Sequence, residues 1–222
     1  MTPRFDPNRH HRRSIRLPEH DYHQAGAYFV TLCTYLRELL FDDPFLRQVA
    51  EAQWERIPRH CMARHFPHVQ LDAWVVMPNH LHGIIVITND PCRGEASQAT
   101  GSPAKPLPVS TAGFVDETAS GDASPLPQRH AGAPPGSLGA IVGNYKAVTA
   151  RRINRLRDGP GLPVWQRNYY EHVVRDERAL IAIRHYITEN PARWTWDTYN
   201  PSATGRDTQA AELWRLLQEQ RA

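Results

Sequence analysis

Cysteine is scarce in this chain, lysine is scarcer, and long apolar runs are missing; each scarcity removes a class of protein. Cys33, Cys61 and Cys92 are the three cysteines in 222 residues. Being odd in number, far apart and without Cys-x-x-Cys spacing, they exclude a disulfide framework and a thiolate zinc site. They read as small buried apolar residues, with Cys92 exposed. No stretch approaches the roughly 18 to 20 apolar residues of a membrane span, and the N-terminus carries no apolar segment like a signal peptide. The expectation is a soluble, cytoplasmic protein with no membrane partner. Lys105 and Lys146 are the only lysines, so the cations are nearly all arginine, whose planar fork suits bidentate phosphate and guanine contacts. A GC-rich genome explains that bias equally well, and a net charge of +3 does not by itself indicate a nucleic-acid partner.

The distribution of arginine says more than its number. Arg4, Arg9, Arg12, Arg13 and Arg16 sit in a polar segment, residues 1–24, that reads as a basic flexible arm. Arg151, Arg152, Arg155 and Arg157 cluster on one predicted helix. Such clusters form electrostatic footprints for phosphate backbones, which makes Arg12, Arg13, Arg16, Lys146, Arg151, Arg152 and Arg155 candidate DNA contacts.

After the arm, Ala27–Tyr35 is a β-branched and aromatic run expected to form a buried strand. Pro44 to Cys61 has helical spacing through Phe45, Val49, Trp54 and Ile57, with Pro44 at a helix N-terminus behind Asp42 and Asp43. Val69–Met77 and His80–Thr88 read as two strands joined by a Pro78-Asn79 turn. Residues 89–136 change texture, holding eight of the nineteen prolines and almost no periodic apolar residues, and read as a flexible insertion. From Ser137 a helical stripe runs through Leu138, Ile141, Val142, Tyr145, Val148 and Ile153 until Asp158-Gly159-Pro160-Gly161. Val164–Val174 is expected to be a fourth strand and Asp176–Asn190 a helix with Asp176 as N-cap. The tail, residues 193–222, carries Trp194, Trp196 and an amphipathic stretch at Ala211–Leu217. The order is β, α, β, β, α, β, α. That order predicts an α+β fold, the ferredoxin-like split βαβ arrangement with an antiparallel sheet, helices on one face and an extra C-terminal helix.

Two spacings carry chemistry. In Met77-Pro78-Asn79-His80-Leu81-His82, side chains alternate across the strand, so His80 and His82 share one face while Leu81 and Ile85 point into the opposite layer. Two imidazoles on one face can share a divalent cation, although a solvated strand face also explains a His-x-His pair. Four residues apart on the last helix, Tyr186 and Asn190 lie side by side. A phenol that loses its proton can attack phosphorus and form a covalent intermediate. Asn190 can offer a carbonyl oxygen as third ligand to the ion, leaving positions open for phosphate oxygens. The combination describes a metal-assisted phosphoryl-transfer site. Plainer readings stand beside it: Tyr186 as a core aromatic near Leu180, Ile183 and Ile187, Asn190 as a helix cap before Pro191, and Trp165 as a core ring rather than a stacking platform. His80, His82 and His172 as a zinc triad is a further reading, without an obvious general-base carboxylate.

The His80-Leu81-His82 strand, the ferredoxin-like order, the string Trp165-Gln166-Arg167-Asn168-Tyr169-Tyr170-Glu171-His172 and the helix Tyr186-Ile187-Thr188-Glu189-Asn190-Pro191 together resemble the HUH single-tyrosine transposases, in particular their REP-associated branch. The resemblance runs from about Arg13 to Arg193, within an expected domain of residues 25–192. It implies a transposase that cleaves and rejoins single-stranded DNA at hairpins, with Tyr186 forming a 5'-phosphotyrosine. It further implies an Mg2+ or Mn2+ ion held by His80, His82 and Asn190. Relatives commonly have glutamine where Asn190 stands. Trp165 and Arg167 become candidates for stacking on or bonding to extruded bases. The protein is expected to act as a monomer or homodimer. A non-catalytic hairpin-binding module is the alternative, supported by the shortened Asn190 side chain.

Overall fold

Alternating strand, helix and turn signals are realised in the expected order by the computed structural model, which describes residues 21–58, 68–89 and 133–219. Strands β1 (Gly26–Cys33), β2 (Val69–Met77), β3 (His80–Ile87) and β4 (Tyr170–Val174) form one sheet in the order β2-β3-β1-β4. Every neighbouring pair is antiparallel, so β1 and β2 run the same way with β3 between them, which is the split βαβ topology. Helix α1 (Pro44–Glu55) joins β1 to β2, α2 (Leu138–Leu156) lies between β3 and β4, and α3 (Glu177–Glu189) and α4 (Thr208–Glu219) follow. The capping chemistry is local: Asp43 accepts from the amides of Phe45 and Leu46, Ser137 from Ala140, and Asp176 from Ala179.

The sheet is covered on both faces, where the sequence had suggested one. Tyr28, Val30, Leu32, Leu81 and Ile85 pack with Trp54, Leu138, Ile141 and Tyr145 on the α1–α2 side. Phe29 and Ile84 pack with Ile183, Tyr186, Ile187, Leu213 and Leu217 on the α3–α4 side. Gly83 is required where it stands, because a Cβ there would lie 2.4 Å from the Trp54 ring. Its bare backbone lets α1 approach the strand immediately after His82.

Several boundaries differ from expectation for identifiable reasons. Helix α1 ends at Glu55 rather than Cys61, because Pro58 cannot continue it, and the Ile57 amide turns back to the Trp54 carbonyl. Strand β4 begins at Tyr170 rather than Val164. The carbonyls of Gln166 and Asn168 that would extend the ladder are taken instead by the Lys146 ammonium, at 2.9 and 3.0 Å, and only Trp165 forms an isolated bridge, with Thr34. The amphipathic tail is a full helix, longer than Ala211–Leu217. Of the 1–24 arm and the 89–136 insertion, only residues 21–24, 89 and 133–136 lie within the described residues. No helix among the described residues is long and apolar enough to cross a membrane.

Candidate functional site

Because β3 begins at His80, both histidines project onto the α3–α4 side, and their rings sit 4.5 Å apart with no exposed surface. Each ring is anchored through Nδ1. That of His80 is 2.9 Å from Asn79 Oδ1, and that of His82 is 2.8 Å from Thr31 Oγ1. With Nδ1 donating in both rings, the two Nε2 lone pairs point inward, the second-shell arrangement that prepares imidazoles for a cation. Asn79 is itself fully used, its amide donating to the carbonyls of Tyr199 at 2.7 Å and Arg37 at 3.2 Å.

The third member of the cluster is Asp197. Its ligand oxygen and the histidine nitrogens all lie within 4.8 Å of one another, and its Oδ2 is 3.7 Å from His80 Nε2. The sequence reading missed it. Asp197 follows Asn190 through a short 3-10 segment, Asn190–Trp196, that folds the chain back over the histidines. The one available signal was a carboxylate directly after the tryptophan-rich Trp194-Thr195-Trp196, where aromatic density announces packing. His172 faces the same side of the sheet, opposite Phe29 in the ladder, but is not part of this cluster.

Tyr186 and Asn190 are brought to the same place. The Tyr186 hydroxyl donates to His82 Nε2 at 3.3 Å, and the α3 helix that carries it is pinned to β2 by a bidentate Arg184–Asp72 pair at 2.7 and 3.1 Å. Asn190 is fully buried, close enough to Tyr186 and Asp197 to favour the ionised form of each, yet neither of its amide atoms completes a hydrogen bond of standard geometry. His80 Nε2 and Asp197 Oδ2 are also buried without a partner. Unpartnered atoms of His80, Asp197 and Asn190, together with the His82 nitrogen that holds the Tyr186 hydroxyl, are the donor set of a divalent cation site.

Electrostatics agree with that fit. Burial, then the charges of His82 and Arg37, hold the His80 pKa well below its usual 6.5, and burial drives His82 down to about 3. Both rings are therefore neutral at pH 7, as metal ligation requires. Burial also raises the Tyr186 phenol and the Asp197 carboxyl. A divalent charge would oppose the upward shifts of Tyr186 and Asp197 and would keep both imidazoles unprotonated.

The other candidate residues divide into four groups. Arg151, Arg152 and Arg155 are exposed on α2, the layer on the far side of the sheet from Tyr186, and Arg167 is exposed on the approach to β4. Lys146 spends two donors on backbone carbonyls and faces the Tyr169 ring at 5.4 Å, and burial lowers its pKa to about 8. Trp165 is a correction: it is only 8% exposed and packs between Phe41 and Tyr145, so its faces are not open to a base. Arg12, Arg13 and Arg16 lie outside the described residues.

Two solved structures are similar at low identity. A REP-associated tyrosine transposase bound to a REP hairpin shares 15% identity, covering 82% of this chain and 76% of its own, with a TM-score of 0.45. A candidate transposase from Deinococcus radiodurans shares 15%, covering 78% of this chain and 95% of its own, with a TM-score of 0.38. No family model matches the chain. An uncharacterized protein of Haemophilus influenzae is 36% identical over 208 residues, 89% of this chain and 97% of the relative. At that identity and coverage, the chain belongs to the same family as the Haemophilus influenzae protein.

Proposed function

We propose that this protein is a metal-dependent transposase-type strand transferase that cuts and rejoins single-stranded DNA beside a hairpin, with Tyr186 as nucleophile. The observation that carries this reading is the Tyr186 hydroxyl, 3.3 Å from His82 Nε2 and adjacent to the unpartnered atoms of His80, Asp197 and Asn190. An Mg2+ or Mn2+ ion held by His80, His82 and Asn190, with Asp197 beside them, would polarise the scissile phosphate for in-line attack. The nitrogen that now accepts the phenol proton is one the ion would take, so loading the site frees the phenol oxygen. Attack by Tyr186 Oη forms the phosphorus–oxygen bond to tyrosine and breaks the bond to the 3'-oxygen, which leaves with a proton. The phenol proton passes to solvent. Rejoining is the reverse reaction with a 3'-hydroxyl as attacking group. His80, His82 and Asn190 have no exposed surface, and Asp197 and Tyr186 are 2% and 4% exposed. A phosphate therefore reaches them only when part of their cover moves, and Tyr199, whose ring lies 4.6 Å from that of His80, belongs to that cover. Exposed Arg151, Arg152, Arg155 and Arg167, with Arg12, Arg13 and Arg16 of the arm, suit the phosphates of a duplex stem.

The test uses 5'- and 3'-labelled single-stranded hairpin oligonucleotides on denaturing gels, with and without Mg2+ or Mn2+. The expected result is a metal-dependent covalent band that keeps the label on the 5'-phosphate side and disappears in Tyr186→Phe. Hairpin binding by wild type without any adduct, across several hairpins and both metals, would replace this reading by a non-catalytic hairpin-binding module.

A further inference from the structure

The connection leaving β1 has an unusual backbone. Leu36 and Arg37 are consecutive non-glycine residues with φ of 53° and 58°, in the left-handed region that ordinary side chains avoid. Such conformations persist only where surroundings impose them. Here they do. Thr34 Oγ1 donates to the carbonyls of Glu38 at 2.7 Å and Asn79 at 3.0 Å, the Arg37 amide donates to Thr34, and the Asn79 side chain donates to the Arg37 carbonyl at 3.2 Å. The residue that orients His80 therefore also grips Arg37.

What the strained turn presents is a guanidinium. Arg37 is exposed, has no carboxylate partner among the described residues, and lies over the Tyr199 ring at 4.9 Å. That ring lies against His80, with centroids 4.6 Å apart and planes tilted by 41°. The positive charge is felt at His80, Asp197 and Tyr199. A fork of donors at the rim of a cation site, with no acid of its own, is complementary to a phosphate bridging the two.

Resting on the phosphoryl-transfer reading above, we propose that Arg37 is a further catalytic residue, donating to a non-bridging oxygen of the scissile phosphate once Tyr199 has moved off it. Its work is electrostatic, holding the phosphate against the ion and taking up charge that grows during attack. The strained turn keeps the guanidinium at the rim in advance, so little reorganisation is needed on binding.

Arg37→Gln, Arg37→Ala and Arg37→Lys in the full chain test this, loaded with Mn2+ and probed with a single-stranded hairpin oligonucleotide. The side chain is exposed, so folding should survive. We expect the adduct rate of Arg37→Ala to fall about 100-fold and to recover in part with added guanidinium ion but not with ammonium. Arg37→Lys should recover little, because it keeps the charge without the fork. In a Tyr186→Phe background, where no chemistry occurs, Arg37→Gln should lower the slope of log affinity against log salt by about 0.7, one phosphate contact on a single strand. Unchanged adduct rate and unchanged slope overturn the assignment, as does a loss of rate that guanidinium leaves untouched. A wild type that forms no adduct, with the slope still lowered by Arg37→Gln, removes the cleavage reading and keeps the phosphate contact. A wild type that binds no oligonucleotide overturns both.

Discussion

On the α1–α2 side of the sheet, Tyr28, Val30, Leu32, Leu81 and Ile85 meet Trp54, Tyr145, Leu138 and Ile141, whereas on the α3–α4 side two histidines, an asparagine and an aspartate are buried as deeply. Both faces contain unpartnered polar atoms, but of different kinds. On the first they are scattered single groups, the indole donors Trp54 Nε1 and Trp165 Nε1 and the hydroxyl Thr149 Oγ1. On the second, lone-pair atoms converge at His80 and Asp197, with the Asn190 amide beside them. An isolated buried donor costs about 1–3 kcal/mol and does nothing further. Convergent acceptors cost more and together define a position for a cation. One face is organised for stability, and the other gives up some stability to gather groups that could hold a cation.

The largest expected effect falls on the stable face. Trp54 has no exposed surface and meets Tyr145 edge to face at 5.1 Å, so Trp54→Ala should lower unfolding free energy by about 3–5 kcal/mol in chemical denaturation. Gly83→Ala should cost about 1–3 kcal/mol by overpacking against the same ring. The two should not add: with Trp54 already truncated, the new methyl has room, and Gly83→Ala should become nearly silent. In both variants, Mn2+ affinity of the folded protein should match the parent. An equal loss of affinity would mean that the two faces are coupled through β3 and that the contrast between them is false.

Acid should act on the other face. Unfolded histidine titrates near 6.5, while folded His82 titrates at about 3 and His80 well below 6.5, so between these values the unfolded chain binds more protons. Their contribution to the stability of metal-free protein is complete above pH 6.5 and is lost as pH falls toward 3. Asp197, whose carboxyl is raised by burial, works in the opposite sense and offsets part of the loss near the bottom of that window. Calorimetry on metal-free protein should show Tm falling between pH 7 and pH 5, with a shallower fall in a His80→Gln, His82→Gln double variant. A double variant with the parental pH dependence would show that other groups control acid stability.

The same contrast governs what could be read from the sequence. Apolar periodicity and helix-end signals report on local structure, so Pro44, the stripe from Ser137 and the Asp176 cap marked their helices, and strand alternation put the β3 histidines on one face. Tyr186 and Asn190 were legible because helical spacing joins them. Asp197 was not, because its position depends on the 3-10 segment Asn190–Trp196 and on the long-range bond by which the Asn79 amide holds the carbonyl of neighbouring Tyr199. The Leu36-Arg37 turn was illegible for a related reason: nothing in those residue types favours a left-handed backbone, at about 1–2 kcal/mol each, and only Thr34 and Asn79 impose it. Trp165 was ambiguous by nature, since a tryptophan beside a strand suits a core and a base equally well.

The smallest expected effect on stability is the most informative about the site. Asp197 accepts the Tyr199 amide through Oδ1 at 2.6 Å, but its Oδ2 faces His80 Nε2 with no donor. Asp197→Asn keeps the first acceptor and replaces a buried charge by a neutral amide, which removes desolvation cost and like-signed repulsion of lone pairs. Metal-free stability should then change by less than about 1 kcal/mol and is expected to rise rather than fall. Mn2+ affinity, followed by titration with the ion, should drop about 10-fold or more, since a neutral oxygen replaces a carboxylate beside the cation. Stability and affinity would then move in opposite directions through one residue, which no substitution on the α1–α2 side is expected to do. If Asp197→Asn weakens folding and leaves Mn2+ affinity intact, Asp197 is a structural anchor for the Tyr199 segment, and the ion rests on His80, His82 and Asn190 alone.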